Sequence, residues 1–220
     1  MRGQRKKRKT QSRYRKTQQG SDQKDNQWKN KAKLQQELKW EEQEIQPIED
    51  VLTKVQQSSQ TNLAPLQSLE GRYFRLWSTD HVEYCTVETA PTRYIEFYDP
   101  KFQIFNTCRE GQVSGHIYAV STDMCDIDPF TLPNNAGLKS VRIHGNDGQH
   151  SFDAQFLDNH HLILKIPKDL VFYRQEMNPP SDAPDIFTYY GICAAYEESR
   201  ILANHRREDQ TERRRSASPA

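Results

Sequence analysis

The chain has 220 residues, 34% of them hydrophobic, with 31 Lys and Arg residues against 30 Asp and Glu residues. Ordinary globular chains contain ~45 to 50% apolar residues, so part of this chain is expected to stay outside any core. No run approaches the ~18 apolar residues of a membrane-spanning helix, and the segment before Gln19 lacks the apolar stretch of a signal peptide. We therefore expect one modest domain with polar appendages, and neither an integral membrane protein nor a classically secreted one.

Charge is divided unevenly along the chain. Residues 1–33 carry thirteen Lys and Arg against two Asp, a net charge of +11, whereas residues 70–200 carry eleven cations against nineteen acids, a net charge of -8. A concentrated cationic segment attracts polyanions even when the whole molecule is almost neutral. The basic segment and the acidic remainder are therefore expected to have different partners.

The basic segment is predicted to be a disordered arm over residues 1–27, because it has too few apolar residues to form a core. Its candidate functional residues are Arg5, Lys6, Lys7, Arg8, Lys9, Arg13, Arg15 and Lys16. Nuclear import receptors recognise such clusters, and closely spaced cations also displace counterions from nucleic acid. The pattern predicts an import receptor as a partner, with nucleic acid as a second, and does not separate the two roles.

A helical segment is predicted over residues 28–58. Its apolar residues follow a heptad stripe in which Glu41 occupies one of the apolar positions; the others are Leu34, Leu38, Ile45, Ile48, Leu52 and Val55. Proline disrupts a helix interior but suits the first turn, so we expect two helices with a break at Gln46 and Pro47. The stripe is too short for a robust coiled coil, and it favours helices that lie on the domain or pair weakly.

After a linker over residues 59–68, an antiparallel β domain is predicted over residues 69–187. Short runs rich in Tyr, Phe, Val and Ile alternate with turn residues, which is typical of an antiparallel barrel or sandwich. The predicted strands are Arg72 to Trp77, His81 to Glu88, Thr92 to Tyr98, Phe102 to Cys108, Gly115 to Ser121, Leu138 to Gly145, His150 to Phe156 and His161 to Ile166. Asn146, Asp147 and Gly148 predict a hairpin turn, since these residues tolerate positive φ. The fold class is thus mainly β with flanking helices.

The chain is predicted to end in a helix over residues 188–205 and a disordered basic tail over residues 206–220. In that tail, Ser216 follows three arginines and Ser218 precedes a proline, so both are candidate phosphorylation sites. A phosphate would cancel much of the local positive charge.

The sequence shows no signature of an active site, a cofactor site or a metal site. It lacks the Gly-rich phosphate loops and the serine nucleophile motif, so we predict no catalytic residues and no cofactor, although an enzyme without a known motif stays open. His144 and His150 flank a turn that already needs its own residues, and Asp123, Asp126 and Asp128 are read as a solvated loop. The four cysteines form no close pair and are expected to be reduced.

Aromatic residues crowd the early strands, and Tyr94, Phe97 and Tyr98 cannot all share one face of a strand. Most should pack in the core, while those facing outwards could stack on bases or receive a peptide. The acidic surplus of the domain argues against nucleic acid as their ligand.

These features favour a non-enzymatic nuclear binding or regulatory protein, with the cytoplasm as the alternative location, whose basic arm serves import and nucleic-acid contact and whose β domain binds a protein partner. Two alternatives remain open. Gly71 with Tyr73 and Trp77 resembles the first strand of lipocalin-type barrels, without their usual tryptophan two positions after the glycine, and that resemblance implies a small apolar ligand. A basic arm on a β domain also fits a viral coat protein with a jelly roll.

Overall fold

The computed structural model describes residues 31–58, 64–85, 93–99, 108–119, 125–173, 179–203 and 206. The chain divides into two compact units, Met1–Trp40 and Glu41–Ala220. In the first unit, the described residues 31–40 are helical. Within these described parts, no helix is both long enough and apolar enough to cross a membrane.

The second unit is mainly antiparallel β, which confirms the predicted fold class. It begins with a helix over residues 41–57, α1. Its eight strands are β1 (Tyr73–Trp77), β2 (Tyr94–Phe97), β3 (Gln112–Tyr118), β4 (Cys125–Thr131), β5 (Ser140–His144), β6 (Ser151–Phe156), β7 (His161–Pro167) and β8 (Ile186–Cys193). Two short helices, α2 (Thr79–Tyr84) and α3 (Lys168–Val171), interrupt this series, and residues 194–203 form the C-terminal helix α4.

The strands form one nearly closed up-and-down barrel. Their order is β4-β3-β2-β1-β8-β7-β6-β5, and every neighbouring pair is antiparallel. The two end strands, β4 and β5, meet at the bridge between Ile127 and Gly145, beside which the N–H of Asn146 donates to the Asp126 carbonyl at 3.0 Å. A jelly roll needs two sheets linked by Greek keys, so this single meander is not the jelly-roll fold considered above.

Side chains fill the barrel interior. The ring of Phe97 on β2 lies 6.1 Å from that of Phe130 on β4 and 6.3 Å from that of Phe156 on β6. Strands β2 and β6 are four places apart in the order of eight, so the Phe97–Phe156 contact crosses the barrel. Phe97, Ala154 and Leu164 have no exposed surface. This packing matches the narrow interior expected of eight strands.

Helix α1 packs on the outside of the barrel, against β7 and β8. Ile48 is fully buried in a cluster with Ile163 and Ile192, and the hydroxyl of Tyr190 donates to the Glu49 carboxylate at 3.3 Å. The predicted break at Pro47 is wrong, because residues 41–57 are helical throughout. Burial of Ile45 and Ile48, on either side of Pro47, opposes the ~3 kcal/mol that an interior proline costs.

Three assignments along the chain differ from the sequence prediction. The run that starts at His81 was expected to be a strand, but Ser78 caps α2 by accepting the N–H of His81 on its hydroxyl. The C-terminal helix begins at 194 and not at 188, because Ile186–Cys193 pairs with both β1 and β7. Asp126 and Asp128 belong to strand β4 and not to a loop. That edge strand accommodates Pro129, which lacks an N–H to donate.

Other expectations hold where they fall on described residues. The predicted hairpin joins β5 and β6, with Gly148 at φ +68°. All four cysteines are unbridged thiols, Cys85 and Cys193 being buried and Cys108 and Cys125 half-buried. The strand predicted over Phe102 to Cys108 lies outside the described residues, except for Cys108 itself.

Candidate functional site

A buried ion pair joins α1 to one end of the barrel. The carboxylate of Glu41 receives the guanidinium of Arg93 and accepts the backbone N–H of Ser78 at 2.7 Å. Arg93 directly precedes β2, and its carbonyl accepts the N–H of Leu76, so it belongs to the ladder between β1 and β2. Burial raises the pKa of Glu41, and the charge of Arg93 opposes this effect. The pair thus anchors the helix by a charged contact that is largely removed from water.

A second pair of buried polar groups lies at the same end. The Nδ1 of His81 is 2.8 Å from the hydroxyl of the fully buried Tyr189, whose hydroxyl also approaches the carbonyl of Ala119 at 3.5 Å. Burial, reinforced by the charge of Arg93, lowers the pKa of His81 to about 3. His81 is therefore neutral at physiological pH. Among the described residues, its Nε2 and the Nε of Arg93 are buried without a hydrogen-bond partner.

We call these four side chains, together with that of Cys85, the buried polar cluster. The chemistry available to it is limited. Burial raises the pKa of the Cys85 thiol to about 12 and raises that of Tyr189 well above its usual range. Both groups keep their protons at neutral pH, so neither is an activated nucleophile. A neutral imidazole, a thiol and a phenol around an ion pair suit structural hydrogen bonding better than acid–base catalysis.

The outside of the barrel carries a surface that we call the tyrosine face. It consists of Tyr73 on β1, Tyr94 and Tyr98 on and just after β2, and His116 and Tyr118 on β3. The Tyr94 ring lies 5.1 Å from Tyr73 and stacks on Tyr118 at 5.7 Å with 19° between the planes. These rings point outwards because Phe74, Ile95 and Phe97 alternate with them and fill the core.

His116 fixes the rings of the tyrosine face. Its Nδ1 lies 3.0 Å from the hydroxyl of Tyr98, and its Nε2 lies 3.1 Å from the hydroxyl of Tyr94. A neutral imidazole can donate one of these bonds and accept the other. The His116 side chain is 9% exposed, so it supports the tyrosines from beneath. The arrangement is pre-organised, which lowers the entropic cost of binding a partner.

Carboxylates border the tyrosine face. The Glu96 side chain is 43% exposed, with Oε2 3.7 Å from Nε2 of His116, and Asp126 accepts the hydroxyl of Tyr98 at 3.3 Å. Burial raises the pKa of Tyr98 to about 12, and Asp126 adds to this effect. Arg75 lies opposite Tyr94 in the ladder, but it pairs with Glu197 at 2.8 Å. The face therefore offers rings and negative charge together.

Histidines also pair with carboxylates at two turns. The hairpin brings Asp147 against His150, and this contact lowers the pKa of Asp147 to about 2. In the turn between β6 and β7, the carboxylate of Asp158 lies 2.9 Å from Nδ1 of His161. The adjacent ring of His160 stacks on the ring of Tyr196, with 4.2 Å between their centres. The described residues contain no group of three or more His, Cys, Asp or Glu side chains that could hold a metal ion.

The sequence-predicted site residues fall outside the described chain. This holds for the eight cations between Arg5 and Lys16 and for Ser216 and Ser218. The structure brings together residues that the sequence analysis did not join: the buried polar cluster and the tyrosine face. Glu41 was recognisable as the one charged position in an apolar stripe. His116 gave no signal, because its role depends on the pairing of β2 with β3.

Compared with family models, curated proteins and solved structures, the chain gives no match to any of them.

Proposed function

We propose that the protein is a non-enzymatic nuclear binding protein whose barrel binds a protein partner through the tyrosine face. The contact across the barrel between Phe97 and Phe156 carries this proposal, because an interior filled by side chains leaves binding to the outer surface. The basic residues 5–16 supply nuclear import and nonspecific contact with nucleic acid. The carboxylates around the tyrosines disfavour phosphates, so the two surfaces serve different partners.

Site-specific photocrosslinking tests the barrel surface. We would place p-benzoylphenylalanine at Tyr73 of the full chain and, as a matched control, at Lys54 on the exposed side of α1. We expect a discrete crosslinked protein from position 73 alone in cells that naturally make this chain. Equal products at both positions, or none at position 73, would contradict a partner interface on the tyrosine face.

Charge removal tests the basic segment. Replacing Arg5, Lys6, Lys7, Arg8 and Lys9 by glutamine should lower the nuclear fraction of a fluorescent fusion, whereas replacing Arg213, Arg214 and Arg215 serves as the control. If about eight of the cations engage DNA phosphates, log affinity should fall with log salt at a slope of roughly -7. Unchanged import together with an unchanged salt slope would refute both roles of this segment.

The up-and-down strand order favours a second candidate, the apolar-ligand barrel. In such barrels eight strands leave room either for side chains or for one small ligand. The filled interior argues for side chains here. Native mass spectrometry of protein extracted under mild conditions separates the two candidates. A retained lipid-like ligand would favour the ligand-binding barrel, and a chain without ligand would favour binding by the outer surface.

A further inference from the structure

We propose that the tyrosine face recognises arginine side chains in an extended peptide segment of the partner. This inference rests on the proposed function and adds to it the chemical class of the partner. The alternation of rings and carboxylates on the face is the observation that carries it, because an arginine can stack its guanidinium plane on a tyrosine and pair its N–H groups with a carboxylate.

The centre of the site is Tyr94. Its ring is flanked by Tyr73 at 5.1 Å and by Tyr118 at 5.7 Å, while its hydroxyl is held by His116. The three rings thus adjoin one another across three strands, and each is half-buried. Such a surface attracts a cation by its quadrupole, and several rings around one guanidinium add to the effect.

The charges around this centre select a cation over an anion. On β2, Glu96 lies two residues after Tyr94 on the same face, and its side chain is partly open to solvent. Asp126 on β4, two strands from β2, accepts the hydroxyl of Tyr98. Arg75, which lies opposite Tyr94 in the ladder, is engaged by Glu197 at 2.8 Å and by Glu198 at 3.9 Å, so its charge is compensated. A phosphate backbone would be repelled by the carboxylates of Glu96 and Asp126.

Arginine fits this site better than lysine does. The guanidinium is planar and weakly hydrated, so it can lie on a ring and bond a carboxylate at its edge, whereas the lysine ammonium is a compact, strongly hydrated charge. Side chains in an extended peptide alternate in direction. A segment with arginine at alternate positions could therefore present each arginine to the same face.

Peptide titration of the full chain, followed by backbone amide NMR, tests the inference. The probe is a short Gly-Ser peptide carrying arginine at alternate positions, with two matched peptides that carry lysine or citrulline instead. At physiological salt we expect the arginine peptide to shift resonances of β1, β2 and β3. The lysine peptide should bind about fivefold more weakly, and the uncharged citrulline peptide at least about tenfold more weakly.

Variants of the chain localise the effect. Glu96→Gln should weaken the arginine peptide by about threefold to tenfold, and Tyr73→Leu by a similar factor. Glu42→Gln, an exposed carboxylate on α1, is the matched control and should change nothing. The amide spectrum of each variant shows whether its barrel is intact, and Tyr73→Leu gives a second readout should Glu96→Gln disturb the fold.

Several results would overturn the inference. Equal binding of the arginine and lysine peptides with no effect of Glu96→Gln would mean general attraction to an acidic domain. Resonance shifts confined to other strands, tighter binding of a proline-rich peptide, or no binding of any peptide would also refute the inference. If a partner is nevertheless crosslinked at position 73, the proposed function stands and only its arginine specificity fails. If no partner is crosslinked there, the proposed function is refuted separately.

Discussion

Glu41 and Arg93 form an ion pair in which the side chains are only 3% and 11% exposed. Glu41 belongs to a helix outside the barrel, and Arg93 belongs to the ladder between β1 and β2, so the pair fixes where α1 lies. A buried pair is weak evidence for high stability, because removing both charges from water costs several kcal/mol. We infer that its value lies in specificity, because the buried carboxylate has one counter-ion, whereas apolar contacts are non-directional.

The first prediction concerns this pair. Glu41→Gln keeps the size of the side chain but leaves Arg93 buried without a counter-ion, which should lower the free energy of unfolding by about 3 kcal/mol. Urea denaturation measures the loss, with Glu42→Gln as a control that should stay within about 0.5 kcal/mol of the parent. The double variant Glu41→Leu with Arg93→Met should be more stable than either single variant. Equal effects of Glu41→Gln and Glu42→Gln would contradict a buried pair.

The sequence predicted the anchoring helix and the kind of domain, but not the contact between them. The stripe from Ile45 to Leu52 has helical spacing, and the strands around the Gly148 hairpin alternate cleanly, so both follow from local pattern. The pairing of Glu41 with Arg93 joins residues 52 positions apart in the chain. Only the closure of the sheet brings them together, and no local pattern encodes that closure.

The strands that the sequence analysis missed have a common cause. Ile192 in β8 and Tyr196 in α4 lie at helical spacing, yet the strand runs to Cys193 because Phe187 and Tyr189 fill the barrel interior. In β4, carboxylates and a proline suggested a loop, but an edge strand accepts both. Part of the tyrosine face could be predicted, since Tyr94 and Tyr98 cannot share a strand face with Phe97. The histidine that supports them, His116, could not, because it comes from a different strand.

The second prediction concerns the acid response of the barrel. Burial lowers the folded-state pKa of His81 to about 3, below its unfolded value of 6.5, so the unfolded chain takes up this proton first as the pH falls. The stability contribution is complete above pH 6.5 and is lost progressively as the pH falls towards 3. Between pH 7 and pH 5, this group alone should remove about 2 kcal/mol of stability.

Comparison with His81→Gln isolates that contribution. The raised pKa of Glu41 acts in the opposite direction, and the lowered pKa of His160 acts in the same direction, so the slope of the parent alone is not diagnostic. The variant should lose about 2 kcal/mol less than the parent over the same interval in urea denaturation. Parallel curves for the two proteins would show that His81 is not buried in its neutral form.

The third prediction concerns Gly115 on β3. A Cβ there would lie 2.0 Å from the carbonyl oxygen of Glu96, a backbone atom of the paired strand. Gly115→Ala should therefore separate β2 from β3 locally and cost about 3 kcal/mol or more. Gly111→Ala is the control: its φ of +77° is unfavourable for alanine, but nothing crowds the site, so the cost should be about 1 kcal/mol. Thermal melts that rank the two variants in the reverse order would refute this pairing register.

The fourth prediction closes the seam between β4 and β5 covalently. A Cβ at Gly145 would lie 2.9 Å from Sγ of Cys125, and a disulfide places the Cβ of one cysteine about 3 Å from the sulfur of the other. Gly145→Cys should therefore form a disulfide with Cys125 under mild oxidation, without a large backbone movement. The loop it closes should raise the free energy of unfolding by up to about 3 kcal/mol, and reduction should abolish the gain.

Peptide mapping identifies the bond, and Gly148→Cys on the turn serves as the control that should not pair with Cys125. If Gly145→Cys stays reduced, or pairs with another cysteine, the two end strands do not meet at the bridge between Ile127 and Gly145.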